Sequence, residues 1–227
     1  GGGPPGVPSI WPMAGFTMPE TLPEGDEKVT AVRGMFDAIA PRYDLVNRIM
    51  TFRLDVRWRR VAVRSLALRR GSVVLDLACG TGDLCRELDA AGLVPIGVDL
   101  SFGMLVAART TAPLVQGDVL RLPVRDRSVD GATCGFALRN LAELPPFLRE
   151  LARVLLPGGR IALLEAVTPS NRLLRWGHGV YFGKVVPVIG GLISDASAYR
   201  YLPRSVAYLP PPDELRGMVA SAGFTNV

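Results

Sequence analysis

Three short stretches of the sequence place carboxylates and glycines directly after apolar runs. The first is VVLDLACGTGD at 73–83, and the others are GVDLS at 97–101 and QGDVLRLP at 116–123. Glycine lets a backbone turn approach a ligand closely, and a carboxylate at a strand end can accept hydrogen bonds from that ligand. The candidate binding residues in these stretches are Asp76, Gly80, Thr81, Gly82, Asp99, Asp118 and Val119.

The glycine turn matches a diphosphate site poorly. A dinucleotide fingerprint requires a third glycine at the position where this chain has Cys85. Asp76, just before the turn, would repel a diphosphate but attract a cationic amino group. An NAD-dependent oxidoreductase is therefore disfavoured, and we expect a ligand that is positively charged near this end.

Two carboxylates farther along the chain, those of Asp99 and Asp118, indicate which chemical groups the ligand contains. Asp99 can accept two hydrogen bonds from the hydroxyls of a ribose. Asp118 can accept from the amino group of an adenine, while the N–H of Val119 donates to a ring nitrogen. Each feature alone has an ordinary alternative, a tight turn or a helix cap. Together, an amino group, a ribose and an adenine predict S-adenosylmethionine as the cofactor.

Short apolar runs alternate with helical stretches through the middle of the chain. The runs expected to form strands are 73–77, 94–99, 112–118, 130–136 and 160–165. Before them, apolar residues recur at helical spacing, with a break near Pro41. This order predicts an α/β fold with a parallel sheet, covered by helices on both faces. The candidate binding residues would then meet at the carboxyl edge of the sheet.

The chain divides into a tail and one domain. Residues 1–27 are rich in Gly and Pro and predict a flexible or artificially added tail. The domain, 28–227, is expected to contain N-terminal helices at 28–70, a cofactor-binding core at 71–165, a substrate-side insertion at 166–212 and the start of a C-terminal part at 213–227. The final FTNV is typical of the start of a strand, so we expect the C-terminal edge strands to be truncated.

Composition excludes several classes of protein. The formal net charge of +5 is spread over several helices, which disfavours a nucleic-acid site. Cys79, Cys85 and Cys134 form no C-x-x-C pair, as expected in a reducing cytoplasm, and the sequence has no metal-ligand cluster. The longest apolar run, 180–193, is short and contains Lys184, so it does not predict a membrane span. We expect a cytoplasmic protein with peripheral contact at the inner face of the membrane, and the sequence indicates no oligomeric state.

The same stretches resemble a known family. LDLACGTGD, GVDLS and QGDVLRLP are similar to the cofactor motifs of class I S-adenosylmethionine-dependent methyltransferases. YDLVNRIMTFRLDVRW at 43–58 and GFALRNLAELPPFLRELARVLLPGGRIALLE at 135–165 resemble the ubiquinone/menaquinone biosynthesis C-methyltransferases, most closely their demethylmenaquinone methyltransferase members. The resemblance implies a Rossmann-like sheet and methyl transfer to a ring carbon of a polyprenylated quinol.

The chain departs from these signatures at a few positions. Where the first signature usually reads Met, Ser and His, this chain has Val46, Thr51 and Asp55. Where the second usually reads Lys and Ser, it has Leu156 and Val167. Asp55 replaces a histidine that could carry a proton, which puts any role for that position in doubt.

Methyl transfer to a quinol carbon requires loss of a hydroxyl proton and donors that stabilise the resulting phenolate. Arg139 and Asn140 follow the fourth apolar run and are the predicted catalytic residues; alternatively, Arg139 pairs with an acid and Asn140 caps the next helix. His178 has neighbouring glycines and is not expected to be catalytic.

Aromatic side chains suit the walls of a pocket that binds a flat ring. The alternative role for such residues is packing in the protein core. The predicted substrate-contacting residues are Tyr43, Asn47, Tyr199 and Tyr201.

These observations predict S-adenosylmethionine-dependent C-methylation of a polyprenylated quinol. Demethylmenaquinol is favoured over the benzoquinol intermediate of ubiquinone synthesis. Two alternatives stay open: methylation of another aromatic small molecule, and a cofactor-binding module without catalysis.

Overall fold

The computed structural model describes residues 24–166, 171, 201 and 204–227. The helices in these parts are α1 (Gly25–Ile39), α2 (Tyr43–Met50), α3 (Leu54–Ser65), α4 (Asp83–Ala90), α5 (Phe102–Val106), α6 (Leu144–Val154) and α7 (Pro212–Ser221). Short 3-10 turns span Ala40–Arg42, Leu138–Asn140 and Val206–Tyr208. The strands are β1 (Val73–Leu77), β2 (Val94–Asp99), β3 (Leu114–Gln116), β4 (Val129–Gly135) and β5 (Leu155–Leu164).

The described strands form one parallel sheet in the order β3-β2-β1-β4-β5. Strand β1 is central and pairs with both β2 and β4. The chain moves outward through β2 and β3 and then crosses to the other side of β1. The carboxyl end of β1 therefore lies where the strand order reverses, which is the usual ligand site of such sheets. The predicted parallel α/β fold is confirmed.

Helices pack on both faces of the sheet, as predicted. On one face, α6 buries Phe147, Leu148 and Leu151 in a core shared with β1 and β4. On the other face, Val63 of α3 and Leu88 of α4 pack in a second core, also against β1. The spacing of Phe147, Leu148 and Leu151 places them on one apolar stripe of α6. Full burial of a side chain of this size contributes about 1.5–3 kcal/mol, so these buried side chains hold the helices to the sheet.

A third core attaches the N-terminal helices to the carboxyl edge of the sheet. Met35 of α1 and Val46 of α2 pack with Met104 of α5. The predicted break near Pro41 is the 3-10 turn Ala40–Arg42, because proline lacks the N–H that would continue α1. Helices α1 and α2 are thereby held beside the predicted site.

Lys28 ties α1 to the loop that follows β4. The side chain is buried, and its Nζ donates to the carbonyl of Leu141 at 2.7 Å. The ammonium also lies 3.7 Å from the centre of the Tyr208 ring, a favourable cation–π distance. Burial lowers the pKa of Lys28 to about 8, although the charge of Glu24 opposes this shift. The loop next to the candidate site is therefore anchored to α1.

Two element boundaries, at the start of α1 and at the start of β5, differ from expectation. Helix α1 begins at Gly25, so the last residues of the predicted tail are helical, and Asp26 and Glu27 favour its positive N-terminal end. Strand β5 begins at Leu155 instead of 160. It carries extra residues between its pairings with Val129 and Gly131, so a Pro-Gly-Gly segment of turn-like composition lies within a strand.

Two further boundaries differ next to the site. Strand β3 ends at Gln116, because the carboxylate of Asp118 accepts the N–H of Leu120 at 2.9 Å and forms a turn. Helix α5 ends at Val106, although the helical sequence pattern FGMLVAART continues to residue 110. The N–H of Arg109 donates to the carbonyl of Thr81 at 3.0 Å, which directs the chain toward the glycine turn.

Several predictions fall on parts of the chain that the structure does not describe. These include most of the predicted tail and insertion, together with Tyr199 and His178. The truncated edge strands stay a prediction. Within the described ranges, every helix is too short or too polar to cross a membrane. The same ranges contain no group of histidine, cysteine and acidic side chains arranged to hold a metal ion.

Candidate functional site

A cavity opens at the carboxyl edge of the sheet, between α1, α2 and the loops that follow β1, β2 and β4. Its walls are largely apolar, and the helices contribute Val32, Phe36 and Met104. The predicted site residues that line it are Tyr43, Gly80, Asp99, Asp118, Val119 and Asn140. Separate segments of the chain therefore converge on one cavity, as the positions of the strand ends predict.

Asp99 occupies the polar end of this cavity. Its Oδ2 accepts the N–H of Gly80 at 2.7 Å, and its Oδ1 accepts the N–H of Ser101 at 2.8 Å. Burial raises the pKa of the Asp99 carboxyl, and these two backbone donors partly oppose the shift. Each carboxylate oxygen has a further lone pair, so Asp99 can accept hydrogen bonds from two hydroxyl groups.

The two glycines of the turn have different roles. Their φ angles are 55° at Gly80 and 81° at Gly82, in the left-handed region that favours glycine. A Cβ on Gly80 would meet no atom within 4 Å, so this glycine leaves open space beside the cavity. A Cβ on Gly82 would lie 2.7 Å from the Cγ2 of Thr110. Gly80 therefore has open space at the cavity, whereas Gly82 packs against Thr110; that both glycines approach the ligand stays a prediction.

Thr81 fixes the turn against α2 instead of contacting the cavity. Its buried hydroxyl donates to the carboxylate of Asp44. Its carbonyl accepts the N–H of Arg109 at 3.0 Å. Thr81 thus has structural contacts in this fold, and its role as a direct binding residue stays a prediction.

Asp76 lies inside the sheet and does not line the cavity, so its role in binding the cofactor stays a prediction. It is 1% exposed, and it accepts hydrogen bonds from the hydroxyl of Thr133 at 2.9 Å and the thiol of Cys85 at 3.3 Å. Burial raises the pKa of Asp76 to about 7, although both hydrogen bonds lower it. Cys85, at the place of the third glycine in a dinucleotide fingerprint, is thus a partner of Asp76. The carboxylate makes no direct contact with the cavity.

Asp118 and Val119 line the cavity just after β3. Asp118 is exposed, and one of its oxygens accepts the N–H of Leu120. Val119 is buried, and its backbone N–H has no hydrogen-bond acceptor within the described parts of the chain. A free acceptor and a free donor therefore lie side by side, which matches the edge of an adenine ring.

Arg139 does not line the cavity, because Glu165 holds it at the end of β5. The Glu165 carboxylate pairs with the Arg139 guanidinium and accepts its backbone N–H at 3.4 Å. The alternative in which Arg139 pairs with an acid is thus observed. Its Nε is buried and has no partner among the described residues. Burial raises the pKa of both Tyr43 and Tyr201, and the positive charge of Arg139 lowers it in part.

Asn140 is the predicted catalytic residue that reaches the cavity. It is buried, and its Oδ1 accepts the hydroxyl of Tyr201 at 3.4 Å. Helix α6 has Glu143 at its N-cap, so Asn140 does not cap it. Since its oxygen faces Tyr201, the amide N–H groups of Asn140 remain as donors for a ligand.

The predicted substrate-contacting residues separate into two groups. Tyr43 lines the cavity and packs edge-on against Phe36, with ring centres 5.8 Å apart. Asn47 shares the helix face of Tyr43 and hydrogen-bonds to it, but does not line the cavity. Tyr201 is buried in the core of the N-terminal helices. Tyr199 lies outside the described residues.

Comparison with known proteins identifies the family. The sequence profile of the ubiE/COQ5 methyltransferase family matches residues 24–227. The chain belongs to this family. It is 44% identical over 204 residues to the ubiquinone/menaquinone biosynthesis C-methyltransferase UbiE of Syntrophotalea carbinolica, covering 86% of each chain. It is 45% identical over 202 residues to the demethylmenaquinone methyltransferase of Thermus thermophilus, covering 84% of this chain and 91% of that one.

Solved structures of methyltransferases share the fold. Phosphoethanolamine N-methyltransferase 2 of Haemonchus contortus, in complex with S-adenosyl-L-methionine, has a TM-score of 0.55 to this chain. The two are 17% identical, and the match covers 74% of this chain and 36% of that one, so this likeness concerns the fold. Family membership and fold confirm the predicted class, an S-adenosylmethionine-dependent methyltransferase.

The cavity of this methyltransferase fits an adenosyl cofactor. Asp99 retains acceptor capacity, Gly80 leaves open space next to it, and the N–H of Val119 is a donor in the same cavity. No lysine or arginine forms a phosphate site at this end; Arg33 is the one cationic side chain among the described lining residues. The acidic character of this end suits a positively charged cofactor.

The sequence did not indicate several residues that shape the site. Ser101 caps α5 and donates its hydroxyl to Asp37 of α1, whose carboxylate also accepts the N–H of Gly103 at 2.8 Å. The preference of helix N-caps for serine could have identified Ser101. Ala78 and Phe136 line the cavity with φ angles of 51° and 59°, which is unusual for residues other than glycine. Such strain is common at functional sites and has no signal in the residue types.

Proposed function

We propose that this methyltransferase transfers a methyl group from S-adenosylmethionine to a ring carbon of a polyprenylated quinol, with demethylmenaquinol as the preferred substrate. The observation that carries the proposal is the composition of the cavity. A polar end built from Gly80 and Asp99 continues into aromatic walls formed by Phe36, Tyr43 and Phe136. A site suited to adenosine therefore adjoins a site suited to a flat apolar ring.

The polar end would hold the cofactor. Asp99 accepts hydrogen bonds from the ribose hydroxyls, Asp118 accepts from the adenine amino group, and the N–H of Val119 donates to the ring. The bound cofactor supplies a methyl group on a positively charged sulfonium. The remaining walls are largely apolar, which favours attack by a bound nucleophile over attack by water.

The aromatic walls would hold the quinol and stabilise its reactive form. A quinol carbon becomes nucleophilic when the neighbouring hydroxyl loses its proton to solvent. As the ring carbon bonds to the methyl group, the bond between that methyl group and the sulfonium breaks and S-adenosylhomocysteine leaves. The methylated carbon then releases its own proton, which restores the aromatic ring. The amide N–H of Asn140 donates to the phenolate oxygen that forms. The charge of Arg139, the preceding residue, lowers the pKa of Tyr43 and Tyr201 and favours a negative charge at the same end of the cavity. Donors directed at a developing negative charge typically contribute a factor of about 10²–10³ to the rate.

The preference for demethylmenaquinol is supported by two observations. The sequence resembles the menaquinone-type members in Asp55 and in the stretch that contains Tyr199 and Tyr201. The relative at 45% identity is named a demethylmenaquinone methyltransferase. The relative at 44% identity is named for both pathways, so the benzoquinol is the substrate to compare.

Radiolabelled methyl transfer to each reduced quinol tests this proposal. We expect label to enter demethylmenaquinol faster than the demethylated benzoquinol. Faster transfer to the benzoquinol would overturn the substrate preference alone. Absence of transfer to both quinols would overturn the quinol proposal. Labelling of another phenol in a panel would then assign a different methyl acceptor. Tight cofactor binding without turnover on any acceptor would indicate a cofactor-binding module without catalysis.

The proposed substrate also bears on where the enzyme acts. A polyprenyl tail stays in the bilayer, while the cofactor is dissolved in the cytoplasm. The proposal therefore places the enzyme in the cytoplasm, in contact with the inner face of the membrane.

A further inference from the structure

One side of α2 and the turn after it exposes large apolar side chains. Leu45, Ile49 and Phe52 are 55%, 39% and 75% exposed, and Leu54 at the start of α3 is 44% exposed. Leu45 and Ile49 are four residues apart and therefore lie on one side of α2, and Phe52 follows in the turn after the helix. The opposite side carries Tyr43, which lines the cavity. Helix α2 thus has one side at the site and the other in solvent.

The turn between α2 and α3 holds Phe52 outward in a strained conformation. The φ angles are 51° at Phe52 and 62° at Arg53, a region that residues other than glycine rarely adopt. Backbone hydrogen bonds maintain it: the N–H of Arg53 donates to the carbonyl of Arg48 at 3.0 Å, and the N–H of Leu54 donates to that of Thr51 at 2.9 Å. Because strain of this kind persists only where surrounding structure imposes it, the exposed tip is a defined feature of the fold.

The exposed charges around these side chains are positive. The acids of α2 and α3, Asp44 and Asp55, are 8% and 1% exposed and bond inward. Arg53 and Arg57 are exposed. Within the described parts of the chain, no carboxylate lies within 4.0 Å of either guanidinium. The surface therefore combines apolar side chains with unpaired cations.

We propose that this surface docks the enzyme on an anionic phospholipid membrane. Phenylalanine and leucine enter the boundary between headgroups and acyl chains, while arginines contact the lipid phosphates. A second copy of the chain is a poorer occupant, because a symmetric contact would bring Arg53 and Arg57 of both copies together. The residues of this surface, named the Phe52 surface, are Leu45, Ile49, Phe52, Arg53, Leu54 and Arg57.

The Phe52 surface lies next to the cavity but is distinct from it. Trp58 and Val61 of α3 are also exposed, but they line a separate groove beside β5 and are not part of the docking surface. Docking through α2 would bring the cavity to within about one helix diameter, about 10 Å, of the bilayer. A role in capturing a lipid substrate rests on the proposed function, whereas the docking surface itself does not.

Cosedimentation of the full chain with vesicles tests the docking surface in the absence of substrate. We expect binding to vesicles that contain phosphatidylglycerol, and binding about tenfold weaker to pure phosphatidylcholine. The variant Ile49→Ser/Phe52→Ser should lose about tenfold in binding to both kinds of vesicle. The variant Arg53→Gln/Arg57→Gln should lose mainly the preference for the anionic vesicles.

Phe102→Ser is the matched control. It removes a phenylalanine that is 56% exposed on α5, outside the Phe52 surface, so it should bind vesicles as the parent does. Circular dichroism and cofactor affinity equal to the parent's would establish that each variant is folded. The proposal is overturned if the parent does not bind anionic vesicles, or if Ile49→Ser/Phe52→Ser binds them equally well. Loss of a dimer in that variant, with vesicle binding unchanged, would assign the surface to a second copy and also overturn it.

A short-chain, water-soluble quinol distinguishes this inference from the proposed function. Ile49→Ser/Phe52→Ser should methylate it at the parent's rate and lose rate only with a long-chain quinol in vesicles. Vesicle binding by a parent that methylates no quinol would contradict the proposed function and leave the docking surface intact. Quinol methylation without vesicle binding would contradict the docking surface alone.

Discussion

Asp99 and Asn140 are assigned to different ligands of one cavity, so substitutions should separate their effects. Asp99→Asn keeps the size of the side chain but removes the charge and one acceptor, and should weaken S-adenosylmethionine binding by about 10–100-fold. Asn140→Ala should leave that affinity within about twofold and lower the turnover number by about 10²-fold. Isothermal titration calorimetry measures the affinity for S-adenosylmethionine, and steady-state kinetics with the quinol measures the turnover number. A large loss of cofactor affinity in Asn140→Ala would contradict the assignment.

Substitution of Arg139 tests the same catalytic assignment at a residue that does not line the cavity. Arg139→Ala should spare cofactor affinity and lower turnover, because the positive charge that lowers the pKa of Tyr43 and Tyr201 beside the cavity is lost. Glu165→Gln serves as its control, since it removes the partner carboxylate and leaves the arginine in place. An unchanged turnover number in Arg139→Ala, in protein shown to be folded, would rule out a catalytic contribution.

Asp76 should make stability depend on pH in an unusual direction. Burial raises its pKa from 3.8 to about 7, so the folded chain keeps a proton there that the unfolded chain releases. The stabilisation is fully present below the unfolded pKa and is lost as pH rises toward 7. Asp76→Asn cannot ionise, so its free energy of unfolding relative to the parent should rise between about pH 4 and about pH 8. Urea unfolding at both pH values measures this difference, and a constant difference would show that Asp76 is ionised in the fold at the lower pH.

The residue types in the sequence predicted which chemical groups the site contains. They did not predict which residues contact one another. Asp99, Asp118 and Val119 lie where strand order places them, because a strand end determines the edge of the sheet on which a residue falls. Asp76 is one residue before the end of β1, and the alternation of side chains along the strand directs it toward Thr133 and Cys85. The partner of Arg139 comes from β5, and no local pattern indicates such a distant pairing.

At the scale of elements, the glycine turn makes two distinct predictions. Gly82→Ala should lower the free energy of unfolding by about 2 kcal/mol or more, because a side chain at φ 81° is strained and its Cβ would clash with Thr110. Thr110→Ser removes the clashing methyl group and keeps the hydroxyl, so it should recover part of this loss in the double variant. Gly80→Ala should cost about 1 kcal/mol in stability, since only the backbone is strained, but should weaken cofactor binding. Thermal and urea unfolding measure the stabilities; equal losses at both glycines would contradict the distinction.

Element types followed from apolar periodicity, whereas several boundaries did not. The strand-like runs of β1, β2 and β4 are long and buried, so their pattern is strong. Strand β3 is a short edge strand whose last predicted residues form a turn around Asp118. Strand β5 contains Pro157 and two glycines, a turn-like composition that pairing with β4 overrides.

At the scale of the molecule, the cavity joins the N-terminal helices to the sheet, so ligand binding should stabilise them together. S-adenosylmethionine should slow amide hydrogen exchange in α1, in the glycine turn and around Ser101, all of which border the cavity. It should have little effect on α6 and α7, which pack on a face of the sheet away from it. Exchange measured by mass spectrometry with and without cofactor tests this pattern; equal slowing in all helices would contradict it.

The overall architecture was predictable because alternating strands and helices permit few arrangements of a parallel sheet. The docking surface was not, since Leu45, Ile49 and Phe52 have the spacing of core residues in an amphipathic helix. Only the fold shows that Val46 and Met50 fill the core and leave the other stripe in solvent.

The central claim is transfer of a methyl group to a ring carbon, and the position of the label in the product tests it most directly. The enzyme would be incubated with reduced demethylmenaquinone and S-adenosylmethionine carrying an isotopically labelled methyl group, and the product analysed by nuclear magnetic resonance. We predict that the label appears as a methyl group bonded to a ring carbon. Label in a methoxy group, or in no quinone product, would contradict the claim.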